Sequence, residues 1–313
     1  MQIMAIHGLA TIGPGGDGLG MNRRSFIRGA AASSVALVSA DSLFAALAPD
    51  NVYRKNLGLQ LYTLRDALAK DAAGTLKAVA AAGYKQVEPF GFPNCQPLLD
   101  GAKEAGLALN SSHFEWASVI SPKDEGMSDF MKILDKAKEV GLSQLVIPYL
   151  HDNERGSLDD YKKIAANANK AAEKAKAAGI QLSYHNHAFE FEPKEGGVCG
   201  YDIFLKEFSD DMKFEIDVFW IKVGGHDPAE FITKLGKRVT QLHLKDLKPG
   251  LKLPEYGSIP QDAFKELGNG IIPMEPILIA AEKAGVVNCH VEQDHSPDPM
   301  ASIKESVEYL REL

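Results

Sequence analysis

From Leu57 onward, short apolar runs alternate with longer segments whose apolar residues recur at helical spacing. The pattern predicts strands at 57–62, 86–89, 107–112 and 144–148, and four more within 183–191, 214–220, 241–246 and 289–294. Helices are predicted between them at 66–82, 97–105, 128–140, 159–178, 201–208, 228–235 and 273–284, with a last one at 300–310. Gly83, Gly106, Gly141 and Gly179 stand where the first four helices should stop, and proline opens the second. Short strands without polar alternation imply a parallel sheet covered on both faces. Eight strand–helix units in about 257 residues point to a single-domain α/β fold, a closed (β/α)8 TIM barrel. A doubly wound open sheet is the alternative, but no glycine-rich turn follows the first strand.

Composition narrows the function without choosing it. The chain is 45% hydrophobic and 24% charged, an ordinary globular balance. Its formal charge of -8 argues against a nucleic-acid partner. Cys95, Cys199 and Cys289 are odd in number and widely spaced, which argues against a disulfide framework or a zinc ribbon and leaves room for one fortuitous bridge.

The first 48 residues break the pattern. Asn22-Arg-Arg-Ser-Phe-Ile-Arg28 precedes the small, apolar run from Gly29 to Val38, and Ala46-Leu-Ala48 offers a cleavage site. Basic, apolar and cleavable segments in that order read as a secretory signal over 21–48, and the paired arginines as the twin-arginine class. The expected partner is the twin-arginine translocon, and the expected location the periplasm or another exported compartment. The alternative is a chance Arg-Arg before a short buried helix. The apolar run is too short for a stable membrane anchor. Residues 1–20 are glycine-rich without periodicity, and Met21 is well placed as the initiator, so 1–20 is expected to be a misplaced start or an extension. The fold then occupies 49–313, at a net charge of about -9. Oligomeric state is not legible; a homo-oligomer is compatible with everything above.

Chemistry in such barrels sits at the C-terminal ends of the strands. There the last four strands carry Glu190, Asp217, His243 and Glu292, which we read as converging on one divalent cation. Three carboxylates and an imidazole suit Mn²⁺ first, with Mg²⁺, Co²⁺ or Zn²⁺ as alternatives. Singly, each has a plainer explanation, since a strand-end Asp often caps the next helix. Glu190 lies six residues beyond Tyr184, and His185 or His187 could supply the ligand from that strand instead. Glu215 should share the face of Asp217 one pleat deeper, where burial in an ion pair is its expected fate. Around the metal, Tyr62, Phe90, His113, His185, His187, Trp220 and Lys245 are expected to line a sugar pocket, aromatic faces against the ring and polar groups on its hydroxyls. Core packing is the rival role for Trp220, and an ion pair with a neighbouring acid for Lys245. Gly268-Asn-Gly270 reads as a tight turn.

These residues make the chain resemble the xylose isomerase-like TIM-barrel superfamily, the sugar phosphate isomerase/epimerase group. Its last four strands resemble ketose 3-epimerases and inosose dehydratases. The matching motifs are Glu-Ile-Asp-Val at Asp217, Leu-His-Leu-Lys-Asp at His243 and His-Val-Glu at Glu292. The resemblance implies a Glu, Asp, His, Glu metal set on strands five to eight. One motif departs: the epimerases carry the strand-five Glu near Tyr184 here, with a second Glu, nearer Glu190, that touches substrate. Tyr-His-Asn-His-Ala-Phe-Glu-Phe is closer to the dehydratase-like and 3-keto-glycoside lyase-like branches.

The expected reaction is metal-assisted proton abstraction next to a carbonyl, through an enediolate, with Glu292 as first-choice base and Glu190 on the opposite face. Return of the proton gives a sugar isomerase or epimerase. Loss of a β-substituent gives a lyase or dehydratase on a keto-sugar or 3-keto-glycoside. An endonuclease-type phosphodiesterase on the same barrel would need extra His and acid ligands for a metal cluster and a basic groove, and the acidity and the signal oppose it. A non-catalytic periplasmic sugar-binding protein is the remaining class.

Overall fold

The computed structural model describes residues 47–313 other than residue 49. The expected extension, and all but the last two positions of the expected signal, lie outside the described residues.

Nine strand segments form one parallel sheet: β1 (Leu57–Gln60), β2 (Gln86–Glu88), β3 (Ala108–Leu109), β4 (Ser111–His113), β5 (Gln144–Ile147), β6 (Gln181–His185), β7 (Met212–Asp217) and β8 (Val239–Leu244), with Asn288–Val291 as the last. Between β8 and that last strand, β9 (Asp246–Leu247) and β10 (Phe264–Lys265) make a small antiparallel pair, so the last strand is β11. The order β3-β2-β1-β11-β8-β7-β6-β5-β4 is a barrel whose third strand is in two pieces. β3 pairs with β2 and β4 with β5, so one strand position joins both edges. The break is at Asn110, whose carbonyl accepts the Ser143 and Gln144 N–H groups and whose side-chain amide donates to Gln86. The fold is therefore the expected single-domain (β/α)8 barrel, with the third strand interrupted.

The long helices fall where the periodicity places them, with one correction. The first expected helix, 66–82, is two pieces, Arg65–Leu68 and Ala72–Ala82. Asp71 separates them because its carboxylate accepts the Gly74 N–H at 2.8 Å and caps the second piece, which a residue inside a continuous helix cannot do. Gly83 ends that piece at φ 109°, a left-handed conformation costly to any side chain. Among the described residues no helix is long and apolar enough to cross a membrane, and all three cysteines are unpaired.

The strands differ from expectation in a way that builds the site. Their residues do alternate, and the inward-facing set is polar. Tyr184 turns outward onto Phe204 at a centroid distance of 4.7 Å. Leu182, Ile216, Leu242 and Leu244 join the same buried apolar shell under the helices. Their neighbours Ser183, His185, Glu215, Asp217, Gln241, His243 and His290 are equally buried. With a period of two, Gln241, His243 and Lys245 stack up one wall. Where such barrels are usually filled by branched apolar side chains, this one is filled by imidazoles, amides and carboxylates.

Candidate active site

Asp217 is the last residue of β7 and the N-cap of the helix Val218–Val223. Its Oδ1 accepts the Phe219 and Trp220 N–H groups at 2.9 and 3.2 Å. Oδ2 is buried and accepts no hydrogen bond; Lys245 Nζ is 3.1 Å from it, an ion-pair contact without hydrogen-bond alignment. One strand over, His243 presents Nδ1 to Glu292 Oε2 at 2.8 Å and Nε2 to Glu88 Oε2 at 2.6 Å. Register explains the meeting, since Asp217 lies opposite His243 and His290 opposite His243 on its other side, with Glu292 two residues beyond His290.

Asp217, His243 and Glu292 bring one ligand atom each to within 4.8 Å of one another, all three residues buried. Two hard carboxylates, one imidazole and a buried Oδ2 without a donor fit a divalent cation. His185, at the end of β6, has Nε2 3.7 Å from that Oδ2 and is a further imidazole within reach.

Glu190 is not part of this group, contrary to the expectation that strand five would deliver it as a ligand and a base. After His185 the chain turns into a 3-10 turn, Phe189–Phe191. The Glu190 carboxylate accepts the Tyr184 hydroxyl at 2.7 Å and the His187 N–H at 2.9 Å. Burial pushes its carboxyl up to about 7, against the pull of those hydrogen bonds. If strand five contributes a ligand, the residue in place to do so is His185.

Beneath the metal group lies a second layer, of which the sequence analysis placed only Glu215. Glu88 accepts from the Gln60 and Gln241 amides at 2.9 and 2.7 Å. Glu215 is buried and ion-paired, as its place one pleat deeper predicts, with His113 and His185 both 2.8 Å from Oε1. His290 is fully buried, and neither ring nitrogen has a hydrogen-bond partner. The signal was present as i, i+2 pairs, Glu215/Asp217, Gln241/His243 and His290/Glu292, each with its deeper member one pleat below the mouth.

Proton placement follows from these contacts. Burial works to lower His243, but the carboxylates of Glu215 and Glu292 outweigh it and hold the imidazole well above its ordinary value. Burial works to raise Glu292, but Lys245 and His243 hold it well below the carboxylate range. Lys245 is held well above the ordinary lysine value by Asp217, Asp294 and Glu292 in spite of burial. His187 goes the other way, pushed well down by burial and by His185 and Lys245.

Above the group opens a cavity of ≈ 610 Å³ with Lys245, Glu292 and His185 lining it beneath aromatic walls of Tyr62, Phe90 and Trp220. His113 and His187 also line it, so all seven residues expected around the sugar face one space. Trp116 Nε1, His187 Nδ1 and Trp220 Nε1, on residues lining this cavity, have no partner within the protein. Aromatic walls with convergent polar and charged groups are the composition of a small-molecule site. A neighbouring groove of ≈ 730 Å³, between residues 63–70 and 294–300, shares Asp294 and His295 with it but none of the metal group.

A protein-family model described as "Xylose isomerase-like TIM barrel" matches residues 76–313. An inosose dehydratase of Clostridium botulinum (strain Alaska E43 / Type E3) is 23% identical over 264 residues, 76% of this chain and 88% of that protein. Two crystal structures of sugar phosphate isomerase/epimerases from Parabacteroides distasonis ATCC 8503 superpose with TM-scores of 0.68 and 0.67, at 26% and 27% identity. They cover 82% and 87% of this chain and 97% of each of those chains.

Proposed function

The chain belongs to the xylose isomerase-like TIM barrel family, and on that footing we propose that it is a divalent-metal-dependent sugar isomerase or epimerase that removes a proton from the carbon next to a carbonyl. The observation that carries the reading is the convergence of Asp217, His243 and Glu292 on the floor of an aromatic-walled cavity. Those three residues would hold the cation, with His185 as a fourth donor within reach; Mn²⁺ is our first choice for such a mixed set. When bound, the cation supplies charge stabilisation to an oxyanion developing beside the reacting carbon. Glu292 accepts the proton at its carboxylate, and His243 and Lys245 hold that carboxylate in place. Trp220 and Phe90 cover the ring and exclude water, while His113 and His187 meet hydroxyls.

One observation favours a second reading, a lyase or dehydratase on a keto-sugar. Epimerisation needs a proton donor on the face opposite the base, and the carboxylate expected there, Glu190, is turned away toward Tyr184. The likeness to inosose dehydratases points the same way.

The experiment is to strip and reload the protein with Mn²⁺, then follow a ketose and a 3-keto-glucoside in deuterated water by NMR. Deuterium entering next to the carbonyl with the skeleton intact supports the isomerase reading. Release of water or an aglycone moves the assignment to lyase. No exchange with metal bound defeats both and leaves a sugar-binding protein.

We further propose export by the twin-arginine translocon, supported by Arg23-Arg24, the apolar run after Arg28 and Ala46-Leu-Ala48. The test is the N-terminus of the exported protein, expected at residue 49. Retention of the full chain in the cytoplasm, unchanged by Arg23→Lys with Arg24→Lys, would reject it.

A further inference from the structure

The cavity over the metal group does not end at Trp220. A second chamber of ≈ 650 Å³ adjoins it, and Tyr149, His187, Trp220, Gly257 and Ser258 line both. Each space alone falls within the range of about 300–1,000 Å³ typical of a whole small-molecule site. A single sugar ring over Asp217, His243 and Glu292 therefore leaves the second chamber with nothing to do.

The second chamber is built for a specific chemistry. Its walls are the Phe189 ring, stacked on His187 at 5.3 Å, and the rings of Tyr149 and Tyr256. Arg155 lies over Phe189 with Cζ 3.7 Å from the centroid. Its guanidinium is fixed by the Leu150 carbonyl at 3.0 Å and by the Asp152 carboxylate. Asp152, Arg155 and Ser258 thus set hydrogen-bonding groups among aromatic faces. Aromatic faces between fixed polar groups match the two-sided character of a pyranose, apolar on its C–H faces and hydroxylated at its rim. The Asp152–Arg155 pair borders these faces with charged groups, which sugar hydroxyls can hydrogen-bond and an apolar substituent cannot. At the junction, His187 Nδ1 and Trp220 Nε1 have no partner within the protein.

We propose that the second chamber is a subsite for a second sugar ring, so that the substrate is a glycoside of at least two rings whose reacting ring lies over the metal group. This rests on reading the site as a carbohydrate site, and it extends that reading from a free sugar to a linked one.

The test is calorimetric titration of the Mn²⁺-loaded protein with glucose, maltose, cellobiose and 4-nitrophenyl glucoside. At least one disaccharide is expected to bind roughly tenfold or more tightly than glucose, the equivalent of about 1.4 kcal/mol. In Asp152→Ala and in Tyr256→Ala that ratio is expected to fall toward one. Asp152 is a solvent-facing side chain, so its variant keeps the test valid if Tyr256→Ala folds poorly. Equal binding of one and two rings, a ratio that survives both substitutions, or no sugar binding at all overturns the proposal. Tighter binding of the nitrophenyl glucoside than of either disaccharide also overturns it, in favour of an apolar substituent. Titration reads binding without turnover, so a failure of deuterium exchange leaves this result standing, and the reverse holds as well.

Discussion

Glu190 accepts a hydrogen bond from the hydroxyl of Tyr184 at 2.7 Å, behind the barrel wall and away from its mouth. Alternation along β6 explains why. Tyr184 faces the helices and His185 faces the axis, so a carboxylate docked on Tyr184 is on the wrong side of the strand to meet Asp217 or Glu292.

That position makes Glu190 a source of pH dependence in folding. Burial raises its carboxyl to about 7, above the ordinary carboxylate value of about 4.3 in the unfolded chain. The unfolded chain therefore loses this proton first as pH rises. Stability is full below about 4.5, falls through the interval to about 7, and stays reduced above it, by about 3 kcal/mol for this one group. Glu190→Gln should remove that slope in urea unfolding measured between pH 4.5 and 8, while leaving metal content by elemental analysis unchanged. A variant that keeps the slope, or that loses the metal, would show that the carboxylate acts elsewhere.

Asp217 does two jobs with two oxygens, and substitutions should separate them. Oδ1 caps the helix Val218–Val223, whereas Oδ2 faces the metal group. Asn caps as well as Asp does, but its amide is a poor ligand for a hard cation. Asp217→Asn is therefore expected to keep the cap, to lower the metal-free melting temperature only through the lost ion pair with Lys245, and to lose the stabilisation that added Mn²⁺ gives, about 4 kcal/mol at a thousandfold excess over Kd. Asp217→Ala should lose that and about 1 kcal/mol more for the cap. Equal Mn²⁺ stabilisation in wild type and Asp217→Asn would remove Asp217 from the ligand set.

Most of the barrel was legible because its helices stop at glycines and its strands are short, with apolar residues on the face under the helices, and both signals are local. The broken third strand was not, because the break at Asn110 is set by partners on other strands, Gln86 and Gln144. The same division runs through the site. Asp217, His243 and Glu292 each end a strand, where fold class alone assigns them to the mouth. Glu190 lies beyond the strand end, where the 3-10 turn decides its direction. Glu88 ends its strand too, but its part is visible only once His243 and Gln241 are seen to bond it from across the barrel.

Glu88 is expected to orient the metal ligand. With Nδ1 of His243 aimed at the metal group, Nε2 is left to Glu88 at 2.6 Å. A carboxylate on the far nitrogen of a ligating histidine fixes its tautomer and raises its basicity, and losing such a partner typically costs about 10–100-fold in metal affinity. Glu88→Gln, which keeps the shape but takes the negative charge away from Nε2, should lower Mn²⁺ affinity by that much in a competition titration with a fluorescent chelator. Unchanged affinity would mean that the ring is held by packing alone.

Lys245 should oppose the cation it neighbours. Its ammonium is 3.1 Å from Asp217 Oδ2 and 2.8 Å from Glu292 Oε2, the oxygens assigned to the metal, and it also pairs with Asp294 at 3.1 Å. Removing one partner of a buried ion pair costs about 3–5 kcal/mol, because the remaining charge is left uncompensated. Lys245→Gln should therefore destabilise the metal-free protein by that order. A buried positive charge a few ångströms from a dication also repels it, so the same variant should bind Mn²⁺ roughly tenfold more tightly and recover most of the lost stability on loading. Turnover should nevertheless fall, since Glu292 loses the group that holds it and substrate loses a contact in the cavity. The decisive comparison is Mn²⁺ affinity by titration beside melting temperature with and without the ion. Weaker Mn²⁺ binding in Lys245→Gln would mean that the ammonium organises the carboxylates for the metal and does not compete with it.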